Sequence, residues 1–330
     1  MTISGLWIYG AALAAGALGA LMVAIFGRQW SLLDRPNERS SHQRPTPRGG
    51  GIGLLAALVL CAIFFPVPPV FWAPAALLSL ISFLGDRFDL RVTVRLGIQF
   101  SLAAWFLYFA AVDPLCELDT VRGLVLSIFF MVFIVGTANF YNFMDGINGM
   151  AGISGVAAFG LLGAYGLSAG RDAAQVTVCF SLAAACAGFL PFNLPRARVF
   201  MGDGGSVLLG FVFACLVVQW SDSATEFLLL SGFLFLFYAD ELVTLRERIR
   251  DGESPFKAHR RHLYQVLANE RKVPHWKVSG GYGLAQIVIG LSVWQAETLG
   301  LLAVSALLFF VLGVFMLINK MVKGLRFMAR

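Results

Sequence analysis

The sequence predicts an all-α polytopic integral membrane protein. About eleven transmembrane helices form one transmembrane domain over residues 1–330, with the amino terminus outside and the carboxyl terminus cytoplasmic. Three observations carry this. Of 330 residues, 58% are hydrophobic and only 13% charged, a balance foreign to soluble domains. Long apolar runs recur from end to end, bounded by charge or by Pro and Gly. Lys and Arg are sorted between alternate connections, 23 of the 25 on one side. A span takes roughly 20 apolar residues, so eleven use about 220 and leave about 110 for all connections. No sizeable soluble domain fits, which excludes a secreted enzyme, a nucleic-acid-binding domain, a disulfide scaffold and a receptor with a large ectodomain.

Taken in order, the first run is 4–26. No Lys or Arg precedes it, whereas Arg28 and Arg35 follow, so it is expected to be a retained span and not a signal peptide. Runs 51–66 and 69–84 flank PVPP (Pro66 to Pro69) and admit one long kinked span or two short ones. The next are 97–112, 123–138, 149–168, 173–192, 205–220, 226–242, 278–296 and 299–319. With two spans around PVPP, the basic residues fall in 27–50, 85–96, 193–204, 243–277 and 320–330, and the opposite connections keep only Arg122 and Arg171. Merging the two would dissolve that asymmetry. The positive-inside rule then places the basic connections in the cytoplasm, and much of the net charge of +6 is topological. Four of the five cysteines (Cys61, Cys116, Cys179, Cys186, Cys215) lie inside expected spans with no C-x-x-C pairing, as small membrane-buried hydrophobes do.

An ionised group is costly in hydrocarbon and must be paired, hydrated or functional. Asp86, Asp89, Asp145, Asp203, Asp240 and Glu241 all fall where a span meets an inner connection, and all four histidines are in inner connections. The outer acids, Asp113, Glu117, Asp119, Asp172 and Asp222, lack Gly, Asn or His companions and suit solvated loops.

The inner connections carry five signatures. In DRPNERSSHQRPTPRGGG (Asp34 to Gly51), Arg39, His42, Arg44 and Arg48 stand among prolines that fix the chain and glycines that let backbone approach a ligand. Cations and free amides suit a phosphate; a positive-inside anchor would explain the arginines alone. GDRFDL sets Asp86 and Asp89 at i and i+3, able to share a cation or a proton, or to neutralise Arg87 and Arg91. NFYNFMDGING repeats Asn139, Asn142 and Asp145 every three residues along one broad helical face. Carboxylate and amide oxygens suit Mg²⁺, which takes one or two carboxylates plus substrate phosphate; alternatively Asn caps the helix and Asp145 pairs with an Arg. VFMGDGGSVLLG (Val199 to Gly210) sets Asp203 among glycines with Ser206 opening the next span, a helix amino end that favours an anion. PFKAHRRHLYQ (Pro255 to Gln265) holds Lys257, His259, Arg260, Arg261 and His262. The third ligand that zinc would need is missing, leaving an anionic or sugar ligand, or a headgroup-binding basic loop.

In these ordered signatures, over nearly the whole chain, the sequence resembles the polyprenyl-phosphate N-acetylhexosamine-1-phosphate transferases (MraY/WecA-like, glycosyltransferase family 4), and HRRHLYQ looks most like the O-antigen-initiating branch. The resemblance implies a multi-pass enzyme of the bacterial inner membrane with a cytoplasm-facing site. It implies transfer of a sugar 1-phosphate from a UDP-N-acetyl-sugar to undecaprenyl phosphate, releasing UMP and initiating O-antigen or another surface glycan. The implied cofactor is Mg²⁺, with Mn²⁺ as an alternative, and the partners are those two substrates and membrane lipids, with no nucleic acid; a homodimer is compatible. By position, Asp203 matches the family's metal aspartate, Asp145 and Asn148 its D-G-x-D/N-G, and Asn139 and Asn142 the preceding polar pair. The segment His259 to Gln265 aligns with a His-rich stretch implicated in sugar-nucleotide recognition. One departure is Gly85, which replaces the first Asp of the family's Asp-Asp pair and leaves Asp86 and Asp89. The expected roles are catalysis by Asp86, Asp89 and Asp145, and metal binding by Asp203 with Asp145. Substrate binding falls to Arg39, His42, Arg48, Asn139, Asn142, Asn148, Lys257, His259, Arg260, Arg261 and His262. The alternatives are a transporter or flippase of anionic or lipid-linked substrates, which would need polar groups deep in the spans, and a polyprenyl-diphosphate phosphatase.

Overall fold

Helix follows helix along the chain, as the recurrent apolar runs require. The structure, a computed structural model, describes residues 5–36, 41–88, 90–109, 121–254 and 260–324, with the side chains of residues 86 and 87 outside the description. Its elements are α1 (Trp7–Phe26), β1 (Leu33–Asp34), β2 (Thr46–Pro47), α2 (Ile52–Phe64), α3 (Pro69–Phe88), α4 (Val92–Phe109), α5 (Val121–Met144), α6 (Met150–Ser168), α7 (Ala173–Asn193), α8 (Asp203–Trp220), α9 (Ala224–Gly232), α10 (Phe235–Arg250), α11 (His275–Ala296) and α12 (Leu301–Gly324). The fold is all-α and polytopic but for the two-residue antiparallel pair β1–β2, which the all-α expectation lacked.

Each of the eleven expected runs contains helix. Among the described residues, seven helices are long and apolar enough to cross a membrane, or eight if the bent pair α9–α10 is one span. Around PVPP the chain makes two short apolar helices, not one kinked rod. Phe65 is extended after α2 and Pro69 opens α3, where its missing N–H and fixed φ are harmless.

Burial ranks the helices. Of the apolar stretch of α8, 89% is buried, against 17% for α12. α8 is therefore the central post, with α5 and α3 packed along it, and α12 keeps a lipid-ready surface bearing Phe309, Phe310 and Leu317. Helices in lipid gain little from apolar burial against one another, so close backbone approach through small residues carries the packing. Gly16 of α1 faces the backbone of Ala185 on α7, and Gly188 of α7 faces the Leu13 carbonyl; a Cβ at either would overlap backbone.

The expected span 226–242 is broken. α9 and α10 meet at 88°, at the buried pair Phe233 and Leu234. Buried backbone freed by a break must find partners, and Gln286 of α11 supplies both. Its Nε2 donates to the Gly232 carbonyl at 3.0 Å, and its Oε1 accepts from the Leu236 amide at 3.2 Å. The physical reason lies in α10 itself. Asp240, Glu241, Arg246, Glu247, Arg248 and Arg250 would be costly in line with an apolar span, and the bend takes them off that axis.

Among the described residues, one group of polar contacts lies away from the basic connections. Arg171, after α6, reaches Asp222 at 2.7 Å and Glu226 at 2.6 Å, and Tyr165 donates toward Glu226 and Glu297 at 3.2 and 2.9 Å. These belong to the connections expected outside. The basic connections gather elsewhere, around the site described next.

Candidate functional site

Residues of four of the five signatures, far apart in sequence, line one cavity of about 330 Å³, a volume typical of small-molecule sites. Asp34, Ser41, His42 and Arg48 come from the first connection. Asn142, Asp145, Gly146, Ile147 and Asn148 come from the end of α5, and Asn193, Phe200, Gly202 and Asp203 from α7 to α8. Gln265 and His275 close it from the last long connection.

The first connection reaches the site because β1 and β2 fold it back, with Leu33 opposite Pro47 and Asp34 opposite Thr46. Arg48 then bridges to Phe200, and the amides of Gly49 and Gly50 donate to the Phe200 carbonyl at 3.1 and 2.9 Å. Gly49 has φ +103°, a left-handed conformation that favours glycine. Gly51 lies so close to Gly205 that a Cβ would strike backbone. The glycine run thus clasps backbone of the GDGG segment. His42 sits 4.8 Å from the Phe200 ring, centroid to centroid, and its Nε2 is 3.9 Å from Asp34.

Asp203 is the first residue of α8, where the helix amino end favours negative charge. Its carboxylate takes a charged hydrogen bond from Arg95 of α4. One turn on, the Ser206 hydroxyl donates to Asn142 Oδ1 at 2.7 Å, tying the end of α5 to the start of α8. Asp145 and Asp203 therefore face the same cavity with Asn142 beside them, a set of hard oxygen donors that fits Mg²⁺. Among the described residues no three His, Cys, Asp or Glu converge as a complete metal cage, and Mg²⁺ shared with substrate phosphates needs none.

Asn148 is fixed on three sides. Its Nδ2 donates to the Pro195 carbonyl at 3.2 Å, its carbonyl accepts from Ser279 at 2.7 Å, and its amide donates to His275 Nδ1 at 3.3 Å. Gly149, φ +83°, then makes the turn into α6, its amide donating to Asn193 Oδ1 at 2.5 Å.

Other expected site residues lie elsewhere. Asn139 turns away, donating to Gln99 of α4 at 2.6 Å and to the Val135 carbonyl at 2.7 Å. The i, i+3 drift that puts Asn142 and Asp145 at the cavity carries Asn139 off it. His262 is buried, with Nδ1 3.4 Å from Asp240 and Nε2 3.4 Å from Glu241. Burial opposes its charge, but the two carboxylates beside it, Asp240 and Glu241, outweigh that and hold its pKa above the ordinary value. Arg261 is committed to Asp251 and Glu253. It is the first cause of the lowered pKa of Asp251; at Glu253 slight desolvation works the other way and Arg261 outweighs it. Arg260 is not among the cavity-lining residues. Arg39, Asp89, Lys257 and His259, and the side chain of Asp86, lie outside the described residues.

Sequence reasoning missed Arg95, counted only for its charge, and missed Asn193, Phe200 and His275 as members of the site. A histidine directly after Pro274 was the one local signal for His275.

Residues 68–221 match the model of glycosyl transferase family 4. The chain is 28% identical over 275 residues to the undecaprenyl-phosphate alpha-N-acetylglucosaminyl 1-phosphate transferase of Thermotoga maritima, covering 82% of this chain and 85% of the relative. It is 26% identical over 288 residues to the decaprenyl-phosphate N-acetylglucosaminephosphotransferase of Mycobacterium leprae, covering 74% and 72%. To the Escherichia coli (strain K12) undecaprenyl-phosphate alpha-N-acetylglucosaminyl 1-phosphate transferase it is 28% identical over 254 residues, covering 72% and 69%. The family match contains Asp86, Asp145 and Asp203; the first connection and His275 lie outside it.

Proposed function

We propose that this chain, which matches glycosyl transferase family 4 over residues 68–221, transfers an N-acetylhexosamine 1-phosphate from a UDP-N-acetyl-sugar to undecaprenyl phosphate. The reaction takes place at the cytoplasmic face of the bacterial inner membrane and initiates a surface glycan. The observation that carries the reading is the cavity itself, where Asp145, Asp203, Asn142 and Arg48 meet from three separate connections.

Phosphoryl transfer is mostly positioning and charge neutralisation. Arg48 and His42 would receive phosphate oxygens. An oxygen of the lipid phosphate would attack the sugar-bearing β-phosphorus, the bond from that phosphorus to the bridging oxygen would break, and UMP would leave. Asp203 and Asp145 would hold Mg²⁺, which when bound offsets diphosphate charge. Arg95 would orient the Asp203 carboxylate. Asp86, with Asp89, keeps the role of orienting or deprotonating the lipid phosphate.

The test is UMP release by purified protein in detergent with undecaprenyl phosphate, Mg²⁺ and a panel of UDP-N-acetyl-sugars, with and without EDTA. Lipid-dependent, EDTA-sensitive UMP together with a sugar-linked lipid is the expected result. Inorganic phosphate released from a polyprenyl diphosphate would identify a phosphatase instead, and labelled lipid moved without chemical change a transporter.

A further inference from the structure

Two histidines line the cavity, His42 and His275, and neither belongs to the HRRHLYQ signature. His275 begins α11, and its Nδ1 accepts the backbone N–H of Asn148 at 3.3 Å. A ring nitrogen that accepts an N–H carries no proton, so this contact fixes the neutral tautomer and places the ring's hydrogen on Nε2. His275 lines the cavity, and among the described residues no group takes that Nε2–H. The ring is held on its far side by a loop that is itself pinned through Asn148 to Pro195 and Ser279. A pre-oriented donor is thereby presented to whatever fills the space.

A neutral imidazole N–H brings no charge to a phosphate, and with Arg48 and the Asp145–Asp203 pair placed to take the charged groups it is left to donate to an uncharged oxygen. The cavity's uncharged polar residues agree with such a ligand. Asn148, Asn193 and Gln265 line it with His275, and Gln265 Oε1 is buried without a hydrogen-bond partner.

We propose that His275 is a specificity-determining residue of the donor site, giving its Nε2–H to a hydroxyl or carbonyl oxygen on the uncharged part of the nucleotide-sugar, either the hexosamine or the uracil. This rests on the reading of the chain as a sugar-nucleotide transferase.

Two substitutions separate ligand contact from loop support. His275→Asn keeps an acceptor near the Nδ1 position for the Asn148 amide but has nothing at Nε2. His275→Gln extends an amide donor toward the Nε2 position. Binding of UDP-N-acetylglucosamine, of the other panel UDP-sugars and of UMP to detergent-purified protein is measured by calorimetry, beside KM for undecaprenyl phosphate. The expected result is a loss of UDP-sugar affinity of about tenfold in His275→Asn, partial recovery in His275→Gln, and an unchanged lipid KM. UMP affinity falling in step would place the contact on uracil; UMP affinity unchanged would place it on the sugar. Wild-type affinity in His275→Asn, or a loss shared equally by the lipid, would overturn the proposal and leave the transferase reading standing. A wild-type protein that binds no UDP-sugar and no UMP would overturn both.

Discussion

At the scale of single residues, the most consequential carboxylate outside the cavity is Asp240. It is fully buried and accepts from the Leu263 amide at 2.9 Å and the Tyr282 hydroxyl at 2.7 Å. It thereby caps the turn that carries Tyr264 and Gln265. Tyr264 in turn donates to the Phe143 carbonyl at 2.8 Å and rests against Gly146, so the Asp145 loop is braced from behind. Asp240→Leu removes an acceptor shared by several buried donors and should cost about 3 kcal/mol, read as a lower Tm in detergent. Beside it, His262 has a raised pKa. Its stabilising charge is then fully present below the unfolded value of about 6.5 and is lost as pH rises through the higher folded value. Tm should therefore fall across neutral to mildly alkaline pH, and His262→Gln should flatten that slope; a slope unchanged in the variant would assign it to other groups. In the cavity, Asp203→Asn should abolish UMP formation while expression and Tm stay near wild type. Retained turnover would remove Asp203 from the metal site.

At the scale of elements, the decisive feature is the break between α9 and α10. Beyond the break the charges of α10 find partners on α12: Lys323 meets Glu247 at 2.7 Å and Asn319 donates to the same carboxylate at 2.7 Å. Gln286 makes the break tolerable by satisfying two backbone groups at once. Gln286→Leu leaves both unpaired in an apolar setting, at about 1–3 kcal/mol each. The expected outcome is a clear loss of thermal stability, with faster hydrogen exchange at Leu236; exchange unchanged there would mean that the bend is held by packing alone. The contact between the glycine run and α8 belongs to the same scale. Gly51→Val should separate the first connection from Asp203 and depress donor binding more than folding, since backbone approach, not side-chain burial, holds that junction.

At the scale of the whole molecule, charge sorting predicts that connections of opposite membrane faces make separate polar clusters. The Arg171, Asp222 and Glu226 group links connections expected outside, and the cavity links those expected inside. The four described cysteines are buried, which makes substituted-cysteine mapping clean once Cys116 is replaced. Cysteine at Arg44 should react with a membrane-impermeant maleimide only after cells are opened, and cysteine at Gly170 in intact cells. The reverse pattern would invert the topology.

The apolar runs, the two-sided distribution of Lys and Arg and the five polar signatures were legible in the sequence because each is local or compositional. They were enough to predict an all-α membrane protein, to separate the helices at PVPP and to single out Asp145, Asp203, Arg48 and His42. What the sequence could not order was distance. Asn139 and Asn142 are alike in type and three residues apart, yet one pairs with Gln99 and the other with Ser206, because only helix packing decides which side of α5 meets α8. His262 and His275 are both histidines of the same long connection, and burial against Asp240 takes the first inward while a backbone amide aims the second at the cavity. The bend before α10 likewise depends on Gln286, a residue some 50 positions away that satisfies backbone no local pattern could have paired. Composition and periodicity determine where the chain must sit; partners brought together from distant helices decide what each polar group does there.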